Sequence, residues 1–166
     1  MARVYISLGS NVDRRRNIAM ALGILVDSFG TLLQSSVYES AAVGFDSAPF
    51  YNLVVGLDTD MSPRALQDFL HVIEDRSGRV RTASLAARTL DLDLLLYDDL
   101  VVGEEGLVLP RDDITRYAFV LGPLAEIAGD LRHPVSGQRF DALWSGFHDA
   151  SQELKRIDWT PAASHV

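Results

Sequence analysis

Hydrophobic and polar residues alternate along residues 2–8, where Val4, Ile6 and Leu8 stand opposite Tyr5 and Ser7. A period of two predicts a strand, and it stops at Gly9-Ser10-Asn11. Over residues 13–29 the period changes: Ile18, Ala21, Leu22, Leu25 and Phe29 fall at helical spacing, with Gly30 at the C-cap position. Residues 31–39 predict a second strand, 40–49 a loop of small residues, and 50–58 a third strand. Ser62-Pro63 reads as an N-cap followed by proline at the first helical position. The helix it opens carries Leu66, Phe69, Leu70 and Ile73 as its apolar stripe and is closed by Gly78. A polar, arginine-bearing loop at 79–87 leads into a fourth strand, in which Leu90, Leu92, Leu94 and Leu96 alternate with Asp91, Asp93, Leu95 and Tyr97. Residues 100–102 and 107–109 flank a Gly-Glu-Glu-Gly turn and predict a hairpin. A helix is expected over 117–128 and a short one over 141–148.

The order β-α-β-β-α-β predicts an α+β fold with a ferredoxin-like split βαβ core: an antiparallel four-stranded sheet, helices on one face, and an added hairpin and C-terminal helices. One domain is expected over 1–157, with 158–166 a frayed tail. The opposite face of the sheet and its loops are expected to be free for a ligand. Topology alone assigns no activity.

Composition narrows the choice. The chain has 166 residues, 48% of them hydrophobic, enough for one globular domain with a real core. No run approaches the ~20 apolar residues of a membrane span, and the N-terminus moves directly into a strand without the apolar stretch of a signal peptide. With no cysteine there is no disulfide and no thiolate ligand or nucleophile; a cytoplasmic protein, monomeric or weakly oligomeric, is expected. A net charge of −8 argues against a nucleic-acid surface. Yet fourteen of the fifteen basic residues are arginine, whose planar fork clamps phosphate oxygens in pairs. Arg76, Arg79, Arg81 and Arg88 cluster just before the acidic strand, which points to a small anionic ligand.

Asp91 and Asp93 lie on the same side of their strand, about 7 Å apart. Two such carboxylates form a seat for hard divalent cations and, through them, for phosphates. An exposed, merely solvated sheet face is the competing reading for Asp-x-Asp by itself; the upstream arginines weigh against it. His71, His133, His148 and His165 show no metal-ligand spacing. Arg14-Arg15-Arg16 opens a helix, where the dipole disfavours positive charge, and reads as a solvated patch.

Several blocks carry a resemblance: Tyr5-Ile6-Ser7-Leu8-Gly9-Ser10-Asn11, Phe50-Tyr51-Asn52-Leu53-Val54-Val55, Ile73-Glu74, Gly78-Arg79-Val80-Arg81, Arg88-Thr89-Leu90-Asp91-Leu92-Asp93-Leu94-Leu95-Leu96-Tyr97, Ala118-Phe119-Val120-Leu121 and Pro123-Leu124-Ala125-Glu126-Ile127-Ala128. They resemble the 6-hydroxymethyl-7,8-dihydropterin pyrophosphokinase family of folate biosynthesis, and the match covers about residues 3–145. The resemblance implies transfer of the β,γ-pyrophosphoryl group of ATP to the pterin hydroxymethyl oxygen, with release of AMP. It implies two Mg²⁺ ions on Asp91 and Asp93, and Arg81 and Arg88 against the phosphates and the developing charge. It further implies Arg79, His71, Glu74, Leu94, Arg111 and Arg116 at nucleotide positions. Phe50 and Phe119 match the aromatic walls of the pterin slot, Asn52 its amide, and Ser40 and Val43 its loop contacts. Ordinary core packing is the competing reading for the two phenylalanines, and a solvated helix end for His71 and Glu74.

The chain departs from the family pattern in two places. Loop 82–87 is one residue short, with Leu85-Ala86-Ala87 where Trp-Gly-Pro is usual. Arg111 stands where a histidine is common, and Tyr117 where an arginine is expected, with Arg116 one place earlier. A one-residue slip on a helix turns a side chain by about 100°. Two other readings therefore stay open: a divergent relative with another pterin or nucleotide substrate, and a module that binds pterin or nucleotide without turnover.

Overall fold

The computed structural model describes residues 1–41, 48–77 and 90–161. The alternating N-terminal segment forms β1 (Ala2–Ser10), the spine of the sheet. It pairs antiparallel with β4 (Phe50–Thr59) on one side and with β5 (Asp91–Tyr97) on the other. Between β1 and β4 lie α1 (Arg14–Phe29), β2 (Leu33–Gln34) and β3 (Tyr38–Ser40), and between β4 and β5 lies α2 (Pro63–Arg76). The strand order β5-β1-β4-β3, all antiparallel, with β2 also on β4, is the ferredoxin-like order.

The main core lies between one face of the sheet and α1 and α2. Val4, Ile6, Leu8, Leu53, Leu57, Leu92 and Leu94 meet Ile18, Leu22, Leu25, Leu66, Leu70 and Ile73 there. Each such side chain contributes roughly 1.5–3 kcal/mol on burial. The end signals act as read: Ser62 Oγ accepts from Ala65 N at 3.2 Å, and Gly30, at φ 80°, caps α1 through Val26 O. Gly78 and loop 79–87 fall outside the described residues.

Among the described residues, helices cover part of the second face, where an open face was expected. α3 (Asp113–Arg116), α4 (Ala118–Ala128) and α5 (Phe140–Ser145) build a smaller core with Tyr5, Val54, Leu95 and Leu96. The expected helix over 117–128 begins one residue later, because Tyr117 is extended (φ −123°, ψ 127°) and separates α3 from α4. Gln152 Oε1 takes the Ala118 N–H at 2.9 Å and so caps α4 from a distant loop.

Four further differences have local causes. The strand expected over 31–39 is broken in the middle. Ser35 Oγ replaces a carbonyl in the ladder by accepting from Val54 N at 2.9 Å, and Ser36 turns its N–H and hydroxyl to Glu126 Oε2. The hairpin is shifted to β6 (Val102–Glu104) and β7 (Leu107–Leu109), because Gly106, at φ 76°, takes the left-handed turn position. β5 carries a bulge: Tyr5 faces Leu96 while Ile6 faces Leu94. Leu96 therefore leaves the face of Leu92 and Leu94 and joins Leu95 in the second core. Finally, β8 (Lys155–Arg156), unmarked in the sequence, pairs with β3 at the sheet edge. Residues 162–166, the end of the expected tail, lie outside the described residues.

Candidate active site

The candidate site lies on the face of the sheet that carries the smaller core. In β1, Gly9 is flanked by Asp91 on β5 and by Asn52 on β4, while Ser7 is flanked by Asp93 and Val54. Residues paired in register share a face. Asp91, Gly9 and Asn52 thus form one row across three strands, with Asp93 in the next row. Two strand spacings of 4.7–4.9 Å separate the Asp91 and Asn52 backbones, about 10 Å in all. β1 contributes only a hydroxymethyl and a hydrogen between the carboxylates and the amide, so the floor is low. Gly9 is required there: a Cβ would lie 2.9 Å from Asn52 Oδ1.

Asp91 and Asp93 are half-buried. The strand that carries them is held from behind by Glu74, which is buried at 3% exposure and accepts from Leu92 N at 2.9 Å. Leu92 lies between the two aspartates, so the α2 carboxylate satisfies an edge-strand N–H and fixes the local backbone. From the other side, Arg111 N donates to Leu95 O at 3.0 Å, at the bulge. The Arg111 guanidinium then reaches Asp93 Oδ1 at 3.4 Å and Asp113 Oδ2 at 3.1 Å. Burial alone would weaken its proton affinity, but Asp93, Asp113 and Asp91 outweigh it and raise the pKa above the ordinary arginine value. Among the described residues no three His, Asp or Glu side chains are grouped to enclose a metal. Two carboxylates without a third ligand suit Mg²⁺, which commonly takes one or two carboxylates and completes its shell with water and substrate phosphates.

At the other end of the row, Asn52 is buried and its Nδ2 donates to Ser40 Oγ at 2.7 Å. Phe50, on the same side of β4, is half-buried. Phe119 is half-buried near the start of α4 and stacks on Tyr117, with ring centres 5.0 Å apart and planes at 21°. Tyr117 is therefore a ring partner to Phe119, a role that a residue read only as a missing arginine did not disclose. Pro123 has no N–H to offer the Phe119 carbonyl one turn earlier.

The remaining expected residues scatter. His71 is exposed on α2, and Arg116 is exposed at the end of α3. The Leu94 side chain is buried in the main core, leaving only its backbone toward the sheet surface. Val43, Arg79, Arg81 and Arg88, with lid residues 82–87, lie outside the described residues. Gly9 and the Arg111–Asp93 pair were not singled out from sequence. The Gly in SLGSN was read as a turn signal, and no local pattern links position 111 to 93.

Residues 5–129 match the family described as 7,8-dihydro-6-hydroxymethylpterin-pyrophosphokinase. The chain belongs to that family. It is 40% identical over 140 residues to the 2-amino-4-hydroxy-6-hydroxymethyldihydropteridine pyrophosphokinase of Haemophilus influenzae, covering 82% of this chain and 88% of that one. The Pseudomonas aeruginosa protein of the same name is 43% identical over 145 residues, covering 80% and 84%. A folic acid synthesis protein of Pneumocystis carinii is 36% identical over 137 residues, 81% of this chain but only 18% of that much longer one. Among solved structures, an HPPK-DHPS chain in complex with substrates aligns with a TM-score of 0.72 at 11% identity, over 87% of this chain and 43% of that one. The wild-type Plasmodium falciparum HPPK-DHPS with pteroate aligns at 0.70 and 14%, over 87% and 42%. At these identities the structures establish the shared fold, and the sequence relatives establish a family of diphosphokinases.

Proposed function

We propose that this chain transfers the pyrophosphoryl group of ATP to 6-hydroxymethyl-7,8-dihydropterin in folate biosynthesis. The observation that carries the reading is the Asp91–Gly9–Asn52 row. It puts a carboxylate and a buried amide on one face, two strand spacings apart, which supports a cation seat beside an acceptor slot. Chemically, the pterin hydroxymethyl oxygen attacks the β-phosphorus, the bridging bond to the α-phosphate breaks, and AMP departs with the electron pair. The hydroxyl proton passes to solvent.

Asp91 and Asp93 would hold Mg²⁺, in the family manner two ions, and these supply charge neutralisation of the triphosphate and acidity to the attacking hydroxyl when bound. Reactions of this kind are accelerated by positioning and by stabilising charge. Arg111, already at Asp93, is a cation beside the phosphates where relatives commonly offer histidine. Arg81 and Arg88 take the developing charge, with Arg79 in support, and His71, Glu74, Leu94 and Arg116 complete the nucleotide end. Glu74 acts there through the Leu92 backbone. Phe50 and Phe119 are the walls of the pterin slot, Asn52 presents its amide to the aminopyrimidinone edge, and Ser40 and Val43 close its loop side. Ser40 already orients Asn52. We further place the chain in the cytoplasm as a single domain, monomeric or weakly oligomeric. Among the described residues no helix is long and apolar enough to cross a membrane.

The test is to incubate protein, ATP, Mg²⁺ and 6-hydroxymethyl-7,8-dihydropterin and separate the nucleotides. AMP together with pterin pyrophosphate is expected. ADP would replace the reading with simple phosphorylation, and pterin binding without turnover would replace it with a binding module.

A further inference from the structure

The residues that bear the pterin end of the site have a reverse side, and the C-terminal segment is packed against it. Tyr38, Ser40, Phe50 and Asn52 point to the ligand face, so Glu39 and Tyr51 point to the opposite face, toward α1. There Arg14, from the first turn of α1, lies 3.8 Å over the Tyr51 ring, pairs with Glu39 at 3.1 Å and donates to Pro49 O at 3.1 Å. The chain end completes the stack. β8 pairs Lys155 with Glu39 and Arg156 with Tyr38, and Ile157 N donates to Val37 O at 3.0 Å. Trp159 then packs on Tyr51 with ring centres 6.0 Å apart, under Arg15 at 5.3 Å. The segment lies beyond residues 5–129, the span the family match covers.

We infer that residues 155–161 form a strap that positions the pterin-binding end of the sheet, with Trp159 as its anchor. The inference rests on the proposed function. Trp159 reaches Asn52 and Phe50 only through Tyr51, the residue between them, so it is a positioning residue and touches no substrate. Among the described residues, β3 is a three-residue strand with β4 as its neighbour in the sheet besides β8. Without the strap, β3 becomes a short edge strand, and Ser40 at its end loses the support that keeps it on Asn52. Asp91 and Asp93 sit beyond β1, on the far side of the sheet from the strap, so the nucleotide end is insulated. An aromatic–cation stack of this size corresponds to about a fivefold to tenfold effect on binding when one ring is removed.

The experiment measures kcat and both KM values for the full chain, Trp159→Ala and Trp159→Phe. In Trp159→Ala, the pterin KM is expected to rise about fivefold to tenfold while kcat and the ATP KM stay within about twofold, and Trp159→Phe restores most of the loss. Equal changes in both KM values, or a lowered melting temperature with unchanged KM values, would overturn the inference. Should Trp159→Ala fail to fold, Trp159→Leu keeps an apolar anchor without the ring and is expected to raise the same KM by a smaller factor; an unchanged value would overturn the inference. If the unaltered chain itself gives no AMP, the failure belongs to the proposed function and not to the strap.

Discussion

Gly9 and Arg111 set the two ends of the site at the scale of single residues. Gly9 leaves room for Asn52, and Gly9→Ala would place a methyl 2.9 Å from Asn52 Oδ1, against a buried amide already tied to Ser40. The amide must move, so the pterin KM is expected to rise about tenfold or more, with the melting temperature lowered by a few degrees. Steady-state kinetics at saturating ATP would read this, and an unchanged pterin KM would separate Asn52 from the acceptor. Arg111 binds Asp93 and Asp113 together. Arg111→Ala is expected to raise the ATP KM about tenfold to a hundredfold, the range for losing a charge-assisted contact, while leaving the pterin KM near its original value. Both effects could be anticipated only in part from sequence. A buried amide amid Phe, Tyr, Leu and Val calls for a partner, and Ser40 is that partner. The Arg111–Asp93 pair could not be read, because it depends on an N–H···O contact between Arg111 and a bulge sixteen residues earlier.

Elements are where period and tertiary structure diverge. Leu90, Leu92 and Leu94 keep the phase their alternation implied, and so do Asp91 and Asp93. Leu96 does not, since the bulge at Leu95 reverses the faces beyond it, and alternation carries no mark of a bulge. The broken strand at Ser35 and Ser36 has the same origin: hydroxyl groups compete for ladder positions and a carboxylate from α4 draws the backbone aside. β8 is two charged residues long and exists only because β3 offers an edge. Across α2 and β5, Glu74 answers a buried N–H. Glu74→Ala strands Leu92 N and is expected to cost about 1–3 kcal/mol by chemical denaturation, whereas Glu74→Gln, which keeps an acceptor, loses much less. Equal losses would remove the hydrogen bond from the account. In the loop before α5, burial holds the His133 ring below its ordinary pKa of 6.5. Its Nδ1 accepts from Val135 N and Ser136 N, both at 3.2 Å. The unfolded chain therefore binds this proton more readily than the folded one. The stability that neutral His133 contributes is present above its unfolded pKa and is lost as pH falls through the folded value. Melting temperature measured from about pH 7 down to about pH 5 should fall less steeply in His133→Asn, whose amide oxygen can accept the same N–H groups. Identical slopes would contradict this.

At the scale of the whole molecule, the described residues form a sheet with its main core on one face and a smaller core on the other. α4 and its neighbours seal Tyr5, Val54, Leu95 and Leu96, and the Asp91–Gly9–Asn52 row shares that face. In the proposed reading, an acidic chain of net charge −8 would keep a polyanion site by setting Arg111 against Asp93 and leaving the two carboxylates to divalent cations. The proposed function requires that two phosphates move as a unit. Supplying ATP labelled at the β-phosphorus, with Mg²⁺ and 6-hydroxymethyl-7,8-dihydropterin, tests it most directly. The label is expected to move into the pterin product and the nucleotide to leave as unlabelled AMP, with turnover falling at least about a hundredfold in Asp93→Ala while the circular dichroism spectrum is kept. Label retained in ADP, or undiminished turnover in Asp93→Ala, would contradict it.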